Sequence, residues 1–213
     1  IFGRNLFQMS LSLIEVSSKK DLKKFIAFPY DLYKNNKYFI PPLRFDEMKT
    51  LDKKINPAFD FCESKYWLVY KDERIVGRVA GIINSKFNEK FNKKEARFGW
   101  IDFEDDSKVS SLLFNTVEKW AIEKGMKSIH GPLGFTDMDG EGMLIEGYEE
   151  VSTLGSIYNY PYYRTHIENF GYQKDIDWIE FRVNIISSTP EKIARIAEIA
   201  LQRNKLHVPV FKK

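Results

Sequence analysis

RFGWIDFEDDSKVSSLLFNTVEKWAIEKGMKSIHGPL, residues 97–133, decides the fold, because it sets a strand, a helix and a strand in immediate succession. Arg97 to Glu104 is strand-like. Val109 to Lys124 places Leu112, Leu113, Val117, Trp120 and Ala121 on one helical face before Gly125 ends the helix. Lys127 to Leu133 is a further short strand. Upstream, Tyr66–Tyr70 and Ile75–Ile83 are strand-like runs split by the polar turn Lys71-Asp72-Glu73-Arg74, an antiparallel hairpin. Before them, Leu11, Leu13 and Val16 outline a strand. Ser18 caps a helix with Leu22, Phe25 and Ile26 at helical spacing, and Pro29 interrupts that pattern. Phe39 to Leu43 is extended, since each proline biases the residue before it away from helix, and a short helix covers about Asp46 to Leu51. Downstream, Asn159 to Phe170 is a helix stopped by Gly171. Trp178 to Asn184 alternates as a strand, and a last helix begins after Pro190. The expected class is α/β, with a mixed, mostly antiparallel central sheet flanked by helices.

At 213 residues and 43% hydrophobic content the chain can bury a substantial core. No apolar run approaches the roughly 20 residues that span a bilayer, and no secretory leader pattern opens the sequence, so no membrane partner is expected. The single cysteine, Cys62, excludes an internal disulfide and fits a reducing compartment, with the cytoplasm as the expected location. A net charge of +3 from 33 basic and 30 acidic residues gives no broad field for nucleic acid. The basic run Lys86 to Lys94 reads as a solvated hairpin end. Residues 1–8 look like tag residues, 9–186 form the main domain, and 187–213 are a linker and helix that could open a second domain cut short at Lys213. A homo-oligomer is compatible with the tyrosine cluster Tyr158 to Tyr163.

The order of elements resembles the GNAT (N-acetyltransferase) superfamily, and several stretches resemble one bacterial GNAT-like family. The matching residues include Pro41-Pro42-Leu43, Asn56-Pro57-Ala58-Phe59, Gly77-Arg78-Val79-Ala80, Gly131-Pro132, Gly140-Glu141-Gly142, Glu146-Gly147-Tyr148, Tyr158 to Tyr163 and Phe170-Gly171-Tyr172. The resemblance implies an acyl-CoA-dependent N-acyltransferase acting on a small-molecule or peptide amine, with acetyl-CoA or another acyl-CoA as donor. It implies donor contacts from Phe103, Ser107 and Asn159, a carboxylate base at the strand end, Glu104, and a tyrosine acid. The usual acid position is Ile167 here, so Tyr163, one turn earlier on the same face, takes that role.

Asp105 to Ser111 departs from that pattern. GNAT enzymes hold the coenzyme pyrophosphate with glycine-rich backbone at this helix N-terminus, whereas this segment has no glycine and two carboxylates. Asp106 or Ser107 can cap the helix without a ligand. The alternative function is therefore a catalytically inactive GNAT-like module that binds a partner protein, a peptide or a small ligand.

Asp137, Asp139 and Glu141 lie in a glycine-rich loop and are the candidates for recognising an amine. A calcium-loop reading fails because its first ligand position is Phe135. His130, His166 and His207 lack metal-ligand spacing, and no metal is expected.

Overall fold

The computed structural model describes residues 10–153, 155–184, 188–205 and 207, so residues 1–8 lie outside it. The chain divides into one unit ending at Asp175 and another starting at Ile176. The first is built on a five-stranded sheet in the order β1-β2-β3-β4-β5. Strands β1 (Leu11–Glu15), β2 (Cys62–Lys71), β3 (Arg74–Asn84) and β4 (Glu95–Phe103) pair antiparallel, and β5 (Ser128–His130) joins β4 in parallel.

Alternate side chains of β2 to β4 feed two cores, as the pleat requires. On one face, helices α1 (Lys19–Leu32) and α2 (Arg44–Leu51) bury Leu22, Phe25, Ile26 and Leu51 against Tyr66, Leu68, Ala80 and Ile82. On the other, α4 (Ser107–Glu123) and α5 (Tyr162–Asn169) pack Val109, Leu113, Phe114, Val117, Trp120 and Tyr163 on Trp67, Val69, Val79, Phe98 and Phe103. At roughly 1.5–3 kcal/mol per fully buried large apolar side chain, these layers supply the main stabilisation. Cys62 is buried in the first core, and burial pushes its thiol up to about 11, so it stays protonated.

Several elements differ from the sequence reading. Pro29 does not end α1, which continues to Leu32. A proline nitrogen cannot donate to the carbonyl four residues back, and that carbonyl, Phe25 O, instead accepts a hydrogen bond from Arg78 NH1 at 2.9 Å. The basic run contains a short helix, α3 (Ser85–Phe91), in place of a plain hairpin end. Asn84 caps it by accepting from the Phe87 N–H, and Asn92 leaves it in the left-handed region. Helix α5 begins at Tyr162, after Pro161, later than the expected Asn159.

In the second unit α6 (Glu191–Arg203) starts after Pro190, as expected. Trp178 to Asn184 forms no strand among the described residues, and Trp178, Ile179, Phe181 and Val183 are exposed. The alternation there is real, but a strand needs a neighbour to take its backbone hydrogen bonds.

Candidate active site

The site forms where β5 leaves β4. Pairing between them covers Glu95 to Arg97, the Leu133 N–H still bonds Phe98 O at 2.8 Å, and the chain then crosses β4 over Gly99. A Cβ at position 99 would overlap the Leu133 carbonyl, so only glycine permits this crossing. Beyond it, the outer edge of β4 has no strand partner among the described residues.

A bulge shapes the same stretch. Arg78 faces Asp102 and Ala80 faces Gly99, so β4 carries an extra residue, and Trp100 takes a φ of 44°. The displaced Trp100 side chain joins the α1/α2 core, and its Nε1 donates to Glu47 Oε2 at 2.9 Å.

Because the Glu104 N–H bonds Val76 O on β3, the backbone groups of Phe103 point the other way, to the open edge. Consecutive tyrosines of α5 satisfy both. Tyr163 Oη accepts from the Phe103 N–H at 3.1 Å, and the Tyr162 hydroxyl donates to Phe103 O at 2.6 Å. The Tyr163 ring stacks on Phe103 with centroids 4.3 Å apart.

Behind this edge lies a buried polar network. Asp102 Oδ1 accepts from the Tyr33 hydroxyl at 2.9 Å, and the Tyr33 and Tyr163 hydroxyls meet at 2.8 Å. Arg78 donates to Asp102 Oδ2 from Nε at 2.8 Å and from NH2 at 2.7 Å. Arg78, Asp102, Tyr33 and Tyr163 are all buried. Burial holds the Tyr33 and Tyr163 phenols well above their ordinary pKa, so both remain protonated. The desolvation cost of the ion pair is offset by its convergent charge-assisted bonds and by the Phe25 carbonyl that Pro29 leaves available.

The structure brings Phe103 and Tyr163 together and scatters the other sequence candidates. Arg74 engages both Glu104 oxygens, with NH2 to Oε2 at 2.9 Å. Asn159 is buried and its amide is fully engaged: Oδ1 accepts from the Leu144 N–H at 2.7 Å, and Nδ2 donates to Leu144 O and Tyr160 O at 3.1 Å. Ser107 is the exposed first residue of α4.

Both carboxylates before α4 are occupied. Asp106 caps the helix by accepting from the Lys108 N–H at 3.0 Å and pairs with Lys71 at 3.2 Å. Burial works to raise its carboxyl, but the Lys108 N–H and Lys71 outweigh it and hold it below the usual range. Asp105 bonds His166 Nε2 at 2.8 Å, and His166 Nδ1 meets Ser110 Oγ at 2.7 Å.

Asp139 is half-buried, accepts from the Thr136 N–H at 3.0 Å, and lines a cleft of about 270 Å³ with Lys49, Ile55, Asn56, Phe135 and Thr136. Asp137 and Glu141 do not line it. Sequence reasoning missed Tyr33, Arg78, Asp102 and Glu47. The one usable signal was a charged residue, Arg78, inside an otherwise apolar strand run.

Two layers of helices on a mostly antiparallel sheet that opens between β4 and β5 make this a GNAT-fold protein. It superposes with a TM-score of 0.50 on a predicted acetyltransferase from Clostridium acetobutylicum solved with acetyl-CoA, at 11% identity over 81% of this chain and 96% of that one. A tandem GNAT protein from the clavulanic acid biosynthesis pathway also gives 0.50, at 12% identity over 76% of this chain and 43% of that one. These likenesses establish the fold. No family model matches the chain. Among curated proteins it is 37% identical over 160 residues to Protein YghO of Escherichia coli K12, covering 75% of this chain and 41% of that protein. It is 29% identical over 182 residues to the bacterial ceramide synthase of Caulobacter vibrioides, covering 85% of this chain and 47% of that protein. The chain thus spans less than half the length of either relative. No helix among the described residues is long and apolar enough to cross a membrane.

Proposed function

We propose that this chain supports transfer of an acyl group from a thioester to an amine. The observation that carries the reading is the open edge of β4 at Phe103, whose N–H and C=O are held by tyrosine hydroxyls that an incoming donor can replace. A pantetheine arm has amides able to bond such an edge, and acyl-CoA is the donor class we assign. Its nucleotide end gains little from Asp105 and Asp106, so affinity rests on the arm.

In the reaction the amine nitrogen attacks the thioester carbonyl, a C–N bond forms and the C–S bond breaks. The amine proton passes to a base, and the departing thiolate takes a proton. Tyr163 is the proposed acid. Burial keeps its phenol protonated, and Tyr33 at 2.8 Å links it to Asp102. Glu104, engaged by Arg74, is assigned to bracing the β3–β4 edge rather than to the base. On the acceptor side, Asp139 in its cleft is the retained candidate. A ceramide is the amide of a fatty acid and a long-chain amino alcohol, and the relative bearing that name leads us to read the acceptor as an amine of this kind.

The occupied α4 N-terminus favours the second reading, an inactive GNAT-like module. Incubation with palmitoyl-CoA and sphinganine, followed by mass spectrometry and thiol titration, separates the two. Transfer yields the amide and free thiol in equal amounts. Neither product from a range of acyl-CoA and amine pairs would leave the inactive module standing.

A further inference from the structure

We propose that Glu47 on α2 is the residue that receives the acceptor ammonium and takes its proton, and that the acceptor is a long-chain amine. This rests on the acyl-transfer reading and supplies the base that it lacks.

Geometry carries the assignment. Glu47 is half-buried, and Trp100, which the β4 bulge turns toward α2, holds Oε2 at 2.9 Å. Among the described residues none is hydrogen-bonded to Oε1. Trp100 in turn packs on Phe135, which lines the Asp139 cleft, and Arg78, Asp102 and Asp139 act on the Glu47 carboxyl electrostatically. Burial, against the opposing pull of Arg78 and the Trp100 N–H, raises its carboxyl, in the direction a base working near neutral pH requires. By contrast, Arg74 engages both oxygens of Glu104.

The surroundings select the substrate class. Immediately before Glu47, Ile40 and Leu43 on the link into α2 and Phe45 in its first turn are exposed at 55%, 60% and 58%, an apolar run along the chain. On the other side, the Phe135 floor of the Asp139 cleft packs against Trp100 with centroids 5.4 Å apart. An amphiphile with an aliphatic chain, an ammonium and neighbouring hydroxyls matches this order: chain on Ile40 and Leu43, ammonium at Glu47, hydroxyls toward Thr136 and Asp139. A small polar amine would leave the run bare.

Calorimetric titration with dodecylamine in the absence of any thioester tests the inference separately from catalysis. The wild-type chain is expected to bind dodecylamine about tenfold or more tighter than dodecanol, the margin of a charge-assisted hydrogen bond. Glu47→Gln, which keeps an oxygen for the Trp100 N–H, should erase that preference while leaving acetyl-CoA binding unchanged. Ile40→Ser with Leu43→Ser should weaken dodecylamine but not propylamine. Equal affinity of the wild type for amine and alcohol would overturn the assignment whatever the fate of the variants. So would an undiminished preference in Glu47→Gln. In a transferring enzyme, Glu47→Gln should also remove the acidic limb of the kcat/KM pH profile, and an intact limb would count against the base role even if transfer itself is confirmed.

Discussion

Replacing Asp102 with alanine is expected to destabilise the chain by about 3–5 kcal/mol, because it leaves the Arg78 guanidinium buried without its counter-charge. Arg78 and Asp102 are only 5% and 6% exposed, so solvent does little to compensate. The same substitution removes the acceptor for Tyr33 and Tyr163. Urea unfolding measures the effect, and a loss under about 1 kcal/mol would mean that the network is solvated or replaceable. The double substitution Asp102→Ala with Arg78→Met should recover much of the loss, since removing both charges also removes the desolvation cost. The single and double variants together separate a paired charge from a merely well-packed one.

Tyr163→Phe is the second large expected effect, and it acts on chemistry more than on packing. Phenylalanine keeps the ring stacked on Phe103, but the Phe103 N–H loses its acceptor in a dry interior and the Tyr33 hydroxyl keeps only Asp102. The stability cost is expected to be about 1–3 kcal/mol. Under the proposed mechanism acyl transfer should fall roughly 10²- to 10⁴-fold, mainly in kcat, as for loss of a general acid. Transfer at the wild-type rate would assign the Tyr163 hydroxyl to structure alone.

The fold was legible because its signals are periodic. The β2–β3 hairpin, the 97–133 strand-helix-strand run and the capped helix at Ser18 each follow from spacing and turn chemistry in a single window. The site was much less so, because its parts meet only through tertiary packing. Asp102 sits where β4 alternation allows a polar residue, and nothing local places it under α1 against Tyr33. Pro29 reads as a helix breaker until Arg78, 49 positions away, is found on the carbonyl it frees. The Trp100 bulge, which brings Glu47 to the site, leaves no mark in composition.

The candidate residues that sequence did single out divide in an instructive way. Phe103 and Tyr163 come together because α5 packs on the end of β4, where its tyrosines bond the Phe103 backbone. Glu104 lies just past the end of β4 and Asn159 just before α5, and their side chains are spent on Arg74 and on the Leu144 backbone. Element position follows from pattern. A side chain's partner depends on what the rest of the chain delivers. Trp178 to Asn184 shows the converse, an alternating pattern that forms no strand among the described residues.

The central claim is that the β4 edge at Phe103 receives a pantetheine thioester. Calorimetric titration of the chain with acetyl-CoA, beside S-acetylpantetheine, tests it most directly. Saturable binding of both, within about tenfold of each other, is the predicted result, since a 1.4 kcal/mol margin is all that a nucleotide facing Asp105 and Asp106 should add. No heat of binding from either at millimolar concentration would contradict the account.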